Sequence, residues 1–470
     1  MSEKASKIKR RDFTKIAGAA ALAGPSLNVL GANDRVRVAC VGYSDRFRSS
    51  LLPCFLQHKQ ELNFEMVAVA DLWRKRLYEN AKPELEKKLG HAVATYTSDI
   101  ELYEKAKDVD AVIISTADFQ HAQHAMHAVN AGKDAYCEKP LAEDMYSVNL
   151  LKDAVDAKRN AGFAPGSVLQ IGSQRRSGAA YHAAKEYIQS GKFGNISFID
   201  LCWNVNQSRR WRRSEQLVAS LKKEDIDWNM WLLDRDPDEY KFDPRKYLEF
   251  RLFWPFSSGI PGQWMCHQID TVAWFLGQPY PKTAVSSGGL YQWADGRQSY
   301  DTFTTLLEYG ESGVKGKGFQ VMFQSHQTNC AGGWHPNRES AVEKYFGPNG
   351  CIDLGKGCVT NEGVEGVEAK SEKLPAPDEQ VVISANTGGD PLTSAHMRNW
   401  MESVRARRDP HAPVEAGYSH AVALIMSNAA LRTGMRATFD EKARQVLAGG
   451  RPWTGYKSTA DGNWFTNLFG

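Results

Sequence analysis

The 470-residue sequence predicts an α/β protein whose N-terminal part is a doubly wound parallel sheet. Two observations carry that class. Short apolar runs rich in β-branched residues recur before residue 175, the pattern of strands buried on both faces. Between these runs the apolar residues fall at helical spacing, so strands and helices alternate.

The elements follow in order. Residues 36–41 (VRVACV) form a first strand that ends at Gly42, and residues 65–70 (EMVAVA) a second that ends at Asp71. Residues 110–115, 134–137 and 167–172 supply the third, fourth and fifth. The helix between the third and fourth strands is read from Ala122, Ala125, Met126 and Val129, one apolar stripe. It closes with Ala131-Gly132-Lys133. Residues 286–385 are β-rich, with many glycines and turns, and Tyr345 to Gly350 reads as a strand followed by a tight turn. After Val414 the pattern is helical again. A chain of this length is expected to hold two or three domains.

In doubly wound sheets ligands bind beyond the carboxyl ends of the strands, so the residues there are candidate cofactor contacts. Gly42 permits close backbone approach to a pyrophosphate. The rest of the G-x-G-x-x-G fingerprint is broken, because the chain reads Gly42-Tyr43-Ser44-Asp45-Arg46-Phe47. Ser44 is expected to cap the following helix, and Arg46 or Arg48 to meet phosphate charge. Asp71 can accept both ribose hydroxyls of NAD and repel a 2′-phosphate. Arg74 and Arg76 follow closely and would tolerate that phosphate, so NAD is preferred and NADP is second. Past the fourth strand stands Glu138-Lys139-Pro140. A lysine held between a carboxylate and a rigid proline, just beyond a buried strand, is placed to do chemistry.

The stretch 112–141, VIISTADFQHAQHAMHAVNAGKDAYCEKPL, resembles the glucose–fructose oxidoreductase, inositol dehydrogenase and rhizopine-catabolism (Gfo/Idh/MocA) family. Members show a strand, a Thr-Pro-x-x-x-His turn, a helix, Ala-Gly-Lys and then Glu-Lys-Pro. Here the turn runs from Thr116 to His121, with alanine in place of proline. Residues 170–176 (QIGSQRR) resemble the strand crossing into the second domain, and 191–196 (GKFGNI) the turn after it. Residues 266–270 (CHQID) resemble the active-site helix; His396 and residues 410–415 resemble the C-terminal helices. The resemblance implies a Rossmann domain over residues 33–175. Over 176–470 it implies an α/β domain with a large, mostly antiparallel sheet that carries dimer or tetramer contacts.

The same resemblance implies hydride transfer between a nicotinamide and a sugar or cyclitol carbon. Lys139 would stand beside the reacting hydroxyl and Glu138 near the nicotinamide ribose. Thr116, His121 and Gln170, in the matched segments, join the candidate cofactor contacts; Arg175, Gln263 and Asp270 are candidate substrate contacts. Many members read Asp-x-x-x-His, whereas here Gln263 stands four residues before His267. Four-residue spacing puts both on one helical face. Glutamine can hydrogen-bond a substrate but cannot titrate near neutral pH, so acid–base work falls to His267.

Seven of the thirteen tryptophans (203, 211, 228, 231, 254, 264, 274) lie between residues 203 and 274, with Arg209, Arg210, Arg212, Arg213 and Arg251 among them. Rings and guanidinium groups together suit a carbohydrate pocket. Trp254 is taken from this set as a substrate contact, and Trp228 and Trp231 as core. The loop 329–337 (NCAGGWHPN) offers Trp334 and His335. His121, His124 and His127 recur every third residue, a spacing that walks around a helix and shows no carboxylate partner at a fixed offset. That argues against metal binding and puts His124 and His127 at the surface. Eight scattered cysteines, with no C-x-x-C, argue against a zinc site or a disulfide framework.

Residues 1–32 read as a targeting segment. Lys9-Arg10-Arg11-Asp12-Phe13-Thr14-Lys15, followed by an Ala/Gly-rich run, is a twin-arginine export pattern, which implies passage through that machinery to the periplasm. This segment holds six Lys/Arg and two acids, a net +4; against +3 for the whole chain, the remainder carries −1. A basic field for nucleic acid is therefore absent. No run of 18 apolar residues suggests a membrane span. The expected protein is an exported NAD-dependent oxidoreductase acting on a small carbohydrate. Two rival readings are a glycoside hydrolase that oxidises its sugar transiently and recycles NAD, and a sugar-binding protein with a degenerate cofactor site.

Overall fold

The computed structural model describes residues 34–458, apart from 162–165, 193, 208, 331–338 and 375–389. The predicted export segment, Trp334 and His335 lie outside the described residues. Strands β1 (Val36–Val41), β2 (Phe64–Ala70), β3 (Ala94–Tyr96), β4 (Ala111–Ile114), β5 (Asp134–Cys137) and β6 (Leu169–Ile171) form one parallel sheet. Its order is β3-β2-β1-β4-β5-β6, so the winding reverses between β1 and β4. That reversal opens a crevice at the strands' carboxyl ends. β4, β5 and β6 are buried at every residue, as the apolar run of β4 requires, and Asp134 of β5 and Gln170 of β6 are buried with them. The sequence reading missed β3, whose three residues, Ala94-Thr95-Tyr96, are exposed or half-buried and carry no apolar run.

Helices α1 (Leu52–His58), α2 (Lys82–Leu89), α3 (Asp99–Lys105), α4 (His121–Asn130) and α5 (Met145–Asn160) belong to this part of the chain. Ser98 caps α3 by accepting from the Glu101 N–H at 3.0 Å, and Asp144 caps α5 by accepting from the Ser147 N–H at 2.7 Å. The predicted stripe of α4 is buried, but so are His124 and His127. Their expected surface placement is overturned. Asp99, at the N-terminus of α3, accepts a hydrogen bond from Nδ1 of both, at 2.8 and 2.7 Å. Burial opposes ionisation of Asp99, yet the two imidazoles hold its carboxyl well below the usual range. The partner comes from another helix, which a search along α4 could not see.

Among the described residues the second sheet has eleven strands. They are β7 (Phe198–Val205), β8 (Thr283–Gly289), β9 (Thr302–Gly310), β10 (Gly318–His326), β11 (Glu339–Gly347), β12 (Gly350–Asp353), β13 (Cys358–Thr360), β14 (Ser371–Lys373), β15 (Ala437–Asp440), β16 (Gln445–Ala448) and β17 (Arg451–Pro452). The order is β14-β13-β12-β11-β7-β10-β9-β8-β15-β16-β17. Only β7 and β10 pair in parallel; the other neighbours are antiparallel. The predicted tight turn joins β11 to β12, where Gly347 faces Gly350.

Four longer helices join the sheets: α6 (Ala179–Gln189), α7 (Cys266–Leu276), α8 (Pro391–Ala406) and α9 (Val414–Thr433). α9 is buried over most of its length and packs on α5 and β6 on one side and on β8 and β16 on the other. α8 returns to the first sheet, where Met397, Trp400 and Met401 share a core with Phe55 and Phe64. Trp228 and Trp231 stack at 4.6 Å in a third cluster with Phe119 and Phe256, which fastens residues 221–256 over the rim of the first sheet.

Candidate active site

A cavity of about 590 Å³ opens across the carboxyl ends of the first sheet. One wall is built by Ser44, Arg46, Thr116, His121, Glu138 and Lys139. The facing wall carries Trp203, Arg210, Trp211, Gln263, Trp264 and His267. A smaller chamber of about 90 Å³ adjoins it beside Gly42, Asp71, Ser98, Trp231 and Tyr247.

The turn after β1 is set by Gly42, whose φ is +86°, a left-handed value that favours glycine. A Cβ there would lie 2.7 Å from Thr116 Cγ2 and 3.0 Å from the Ser115 carbonyl. β1 and β4 therefore approach closely only because this residue has no side chain. Ser44 Oγ accepts from the Phe47 N–H at 3.2 Å, so it caps the next helix as its residue type suggests. That helix opens with a π-helical turn, Phe47–Leu51, as do two other segments whose residues line the cavity, Arg76–Ala81 and Pro261–Met265. Arg46 donates to Glu138 at 2.9 Å rather than projecting free into the cavity.

Asp71 is buried at the end of β2. Its oxygens accept from the N–H groups of Tyr43 and Trp73 at 2.8 and 2.9 Å, and from the Arg76 guanidinium at 3.0 and 2.9 Å. Arg76 also donates to the Tyr247 hydroxyl. The two residues are thus one ion pair on the wall of the smaller chamber.

Lys139 sits where β5 delivers it, with its Nζ donating to the Gln263 carbonyl at 2.8 Å. Burial pulls its ammonium below the ordinary lysine range, while Cys266, Glu138 and Asp118 push the other way. Burial also works against a charged Glu138, but Arg46 first and then Lys139 hold it below the usual carboxylate range. His121 Nδ1 donates to the Pro140 carbonyl at 2.7 Å, and burial lowers its basicity.

Gln263 and His267 both face the cavity across a π turn that runs into α7. Burial, chiefly, and the charges of Lys139, Arg175 and Arg46 hold the His267 imidazole well below its ordinary pKa. It is therefore a neutral ring at pH 7. Trp203 lies against it at 5.8 Å between centroids. Arg210 lies over the ring of Trp264, which stacks on Trp211 at 5.4 Å.

Four candidates lie elsewhere. Gln170 donates to the His396 carbonyl at 2.6 Å and joins β6 to α8. Arg175 is paired with Glu343 and lies over Tyr181 and Trp203, so it acts on His267 through space. Asp270 forms a two-pronged pair with Arg176 at 2.9 Å. Trp254 donates to the Gly455 carbonyl at 2.8 Å and packs on Trp453. Each has a hydrogen-bond or ionic partner within the protein, and none of the four lines the cavity. Sequence reasoning missed Asp118 and Glu143. Asp118 follows β4, where the strand-end rule that singled out Asp71 applies equally. Glu143 is buried behind the cavity, and burial raises its carboxyl to about 8; nothing in its sequence surroundings marks it.

The two connected chambers, the Cβ-free approach at Gly42 and the acid at the end of β2 fit a dinucleotide lying across the sheet. Gly42, Ser44 and Thr116 would hold its pyrophosphate side, Asp71 its adenosine ribose, and Glu138 and Lys139 its nicotinamide end. Known proteins agree with that fold. Residues 36–164 match the GFO_IDH_MocA model, described as an oxidoreductase family with an NAD-binding Rossmann fold. An inositol 2-dehydrogenase of Saccharopolyspora erythraea is 29% identical over 127 residues, covering 27% of this chain and 36% of the relative. A 1-carboxy-3-chloro-3,4-dihydroxycyclohexa-1,5-diene dehydrogenase of Comamonas testosteroni is 30% identical over 189 residues, 40% of this chain and 42% of the relative. The chain thus spans well under half the length of these relatives. Among solved structures, a scyllo-inositol dehydrogenase from Lactobacillus casei with bound NAD(H) and scyllo-inositol superposes with a TM-score of 0.58 at 17% identity. It covers 86% of this chain and 99% of that one. An aldose–aldose oxidoreductase from Caulobacter crescentus gives 0.57 at 15% identity, over 86% and 100%. The shared fold therefore extends through both sheets.

Proposed function

We propose that this chain, whose residues 36–164 are those of a Gfo/Idh/MocA-type NAD-binding domain, is an exported NAD-linked oxidoreductase acting on a sugar or cyclitol. The observation that carries the reading is that Lys139, from the first sheet, and His267, from α7, line one cavity at the strand ends. A bound nicotinamide dinucleotide supplies the hydride acceptor in the oxidising direction.

The chain's own residues do the rest. The Lys139 ammonium donates to the alcohol oxygen and stabilises the negative charge that grows there. His267, neutral at physiological pH, takes the hydroxyl proton. The carbon loses its hydrogen as hydride, the oxygen loses its proton, and a carbonyl remains. Trp203, Trp211 and Trp264 form an aromatic stretch of the cavity wall suited to the C–H surface of the substrate. The Asp71 carboxylate at the end of β2 disfavours a 2′-phosphate, a preference that its ion pair with Arg76 weakens.

Native mass spectrometry of a periplasmic extract tests this. The folded protein is expected there, without residues 1–32, carrying the mass of NAD, and reducing it when polyols are added. Empty folded protein that binds no added dinucleotide would sink the cofactor reading. Protein found only in the cytosol would sink export.

A further inference from the structure

We propose that Asp118 is a positioning residue, whose carboxylate fixes the Gln263 amide so that Gln263 Oε1 faces the cavity as an acceptor. This rests on the reading of the cavity as a polyol-oxidising site.

The geometry at Asp118 leaves little freedom. Its side chain is fully buried on the turn between β4 and α4. Oδ2 accepts from Gln263 Nε2 at 2.6 Å and from Ser257 Oγ at 2.6 Å, and Oδ1 faces Arg251 Nη2 at 3.3 Å. A carboxylate offers only acceptors, so the amide must turn its NH₂ toward Asp118. Its oxygen then points the other way. Gln263 lines the cavity, and its backbone carbonyl already takes the Lys139 ammonium. The reacting hydroxyl accepts from Lys139 and donates to His267, and the oxygen of Gln263 is the acceptor for a neighbouring hydroxyl of the polyol.

Glutamine alone would not give this arrangement. An amide free to flip presents NH₂ as readily as oxygen, and with NH₂ turned inward a second substrate hydroxyl, beside the one that gives its proton to His267, finds no acceptor at Gln263. The carboxylate that many Gfo/Idh/MocA sequences carry at the position of Gln263 stands here one hydrogen bond further back. It orients the wall without placing a negative charge on it. Asp118 also acts by charge on Lys139 and His121, favouring the protonated form of each.

The test is a swap of amide and carboxylate. Asp118→Asn and Gln263→Glu, singly and together, are compared with wild type for kcat, KM, NAD affinity and Tm. Each single change is expected to lower kcat/KM about tenfold, because a hydrogen bond to a charged group is lost or two carboxylates are forced together. The double variant restores the bond in reverse, with the new amide at position 118 donating to the new carboxylate at position 263, and leaves an acceptor facing the cavity. It is expected to recover to within about threefold of wild type, with NAD affinity unchanged throughout. A double variant no better than the worse single would overturn the proposal. The Tm values decide the pairing even if wild type oxidises no polyol. Recovery in the double supports the Asp118–Gln263 bond while the functional reading fails, and additive losses overturn the bond itself.

Discussion

At Lys139 two effects compete. Burial favours the neutral amine, and the nearby Cys266, Glu138 and Asp118 favour the ammonium. Burial wins, so the alkaline limb of activity should begin below the pH at which an ordinary lysine titrates. At His267 burial and the neighbouring cations act together and keep the ring neutral. The base is then competent throughout the neutral range, and its protonation, which costs activity, occurs only well below pH 6.5. A profile of log kcat/KM against pH for polyol oxidation should therefore be flat around neutrality and fall on both sides. Lys139→Arg should carry the alkaline limb out of range while lowering the rate, since guanidinium does not deprotonate. A profile with an acid limb centred at or above the ordinary imidazole value would remove His267 from the role of base.

Among the elements, the turn from β1 into the first helix carries the greatest constraint. Its fingerprint retains one glycine of three, and the structure uses that glycine doubly: for its left-handed φ and for the approach of β4. Gly42→Ala would cost about 1–2 kcal/mol for the backbone alone. The added Cβ also drives into Thr116 on the cavity wall. The expected result is a Tm lower by several degrees and a loss of NAD affinity of about tenfold or more, read by calorimetric titration. Unchanged affinity would mean that the dinucleotide does not lie over this turn. α4 shows the converse limit of element-level reading. Its apolar stripe was legible, but its polar face was not, because Asp99 on α3 completes it.

For the whole molecule, the buried histidines that hold α8 and α9 to the first sheet and its loops tie stability to pH. His396 donates through Nε2 to the Ile171 carbonyl at 2.8 Å, and His420 Nε2 accepts from the Leu141 N–H at 3.1 Å. Burial depresses them to about 3 and about 4. In the unfolded chain both titrate near pH 6.5, so between that value and the folded values the unfolded state binds more protons. Their contribution is whole above pH 6.5 and is lost as pH falls toward 4 and below. Thermal melts should show Tm dropping steadily from about pH 7 to about pH 4.5, and a flat Tm over that range would contradict the neutral, buried assignment.

Sequence alone determined the parallel sheet, its strand ends and the Glu138-Lys139-Pro140 segment, because burial on both faces imprints continuous apolar runs and local turns imprint their residue types. It also placed Gln263 and His267 near each other, since helical spacing is a local property. Tertiary structure alone decided which polar side chains face the cavity. Gln170, Arg175, Asp270 and Trp254 each found partners within the protein, and Asp118 met Gln263 across 145 residues of chain. Such pairings depend on where distant elements dock, and docking leaves no periodicity in the chain to be read.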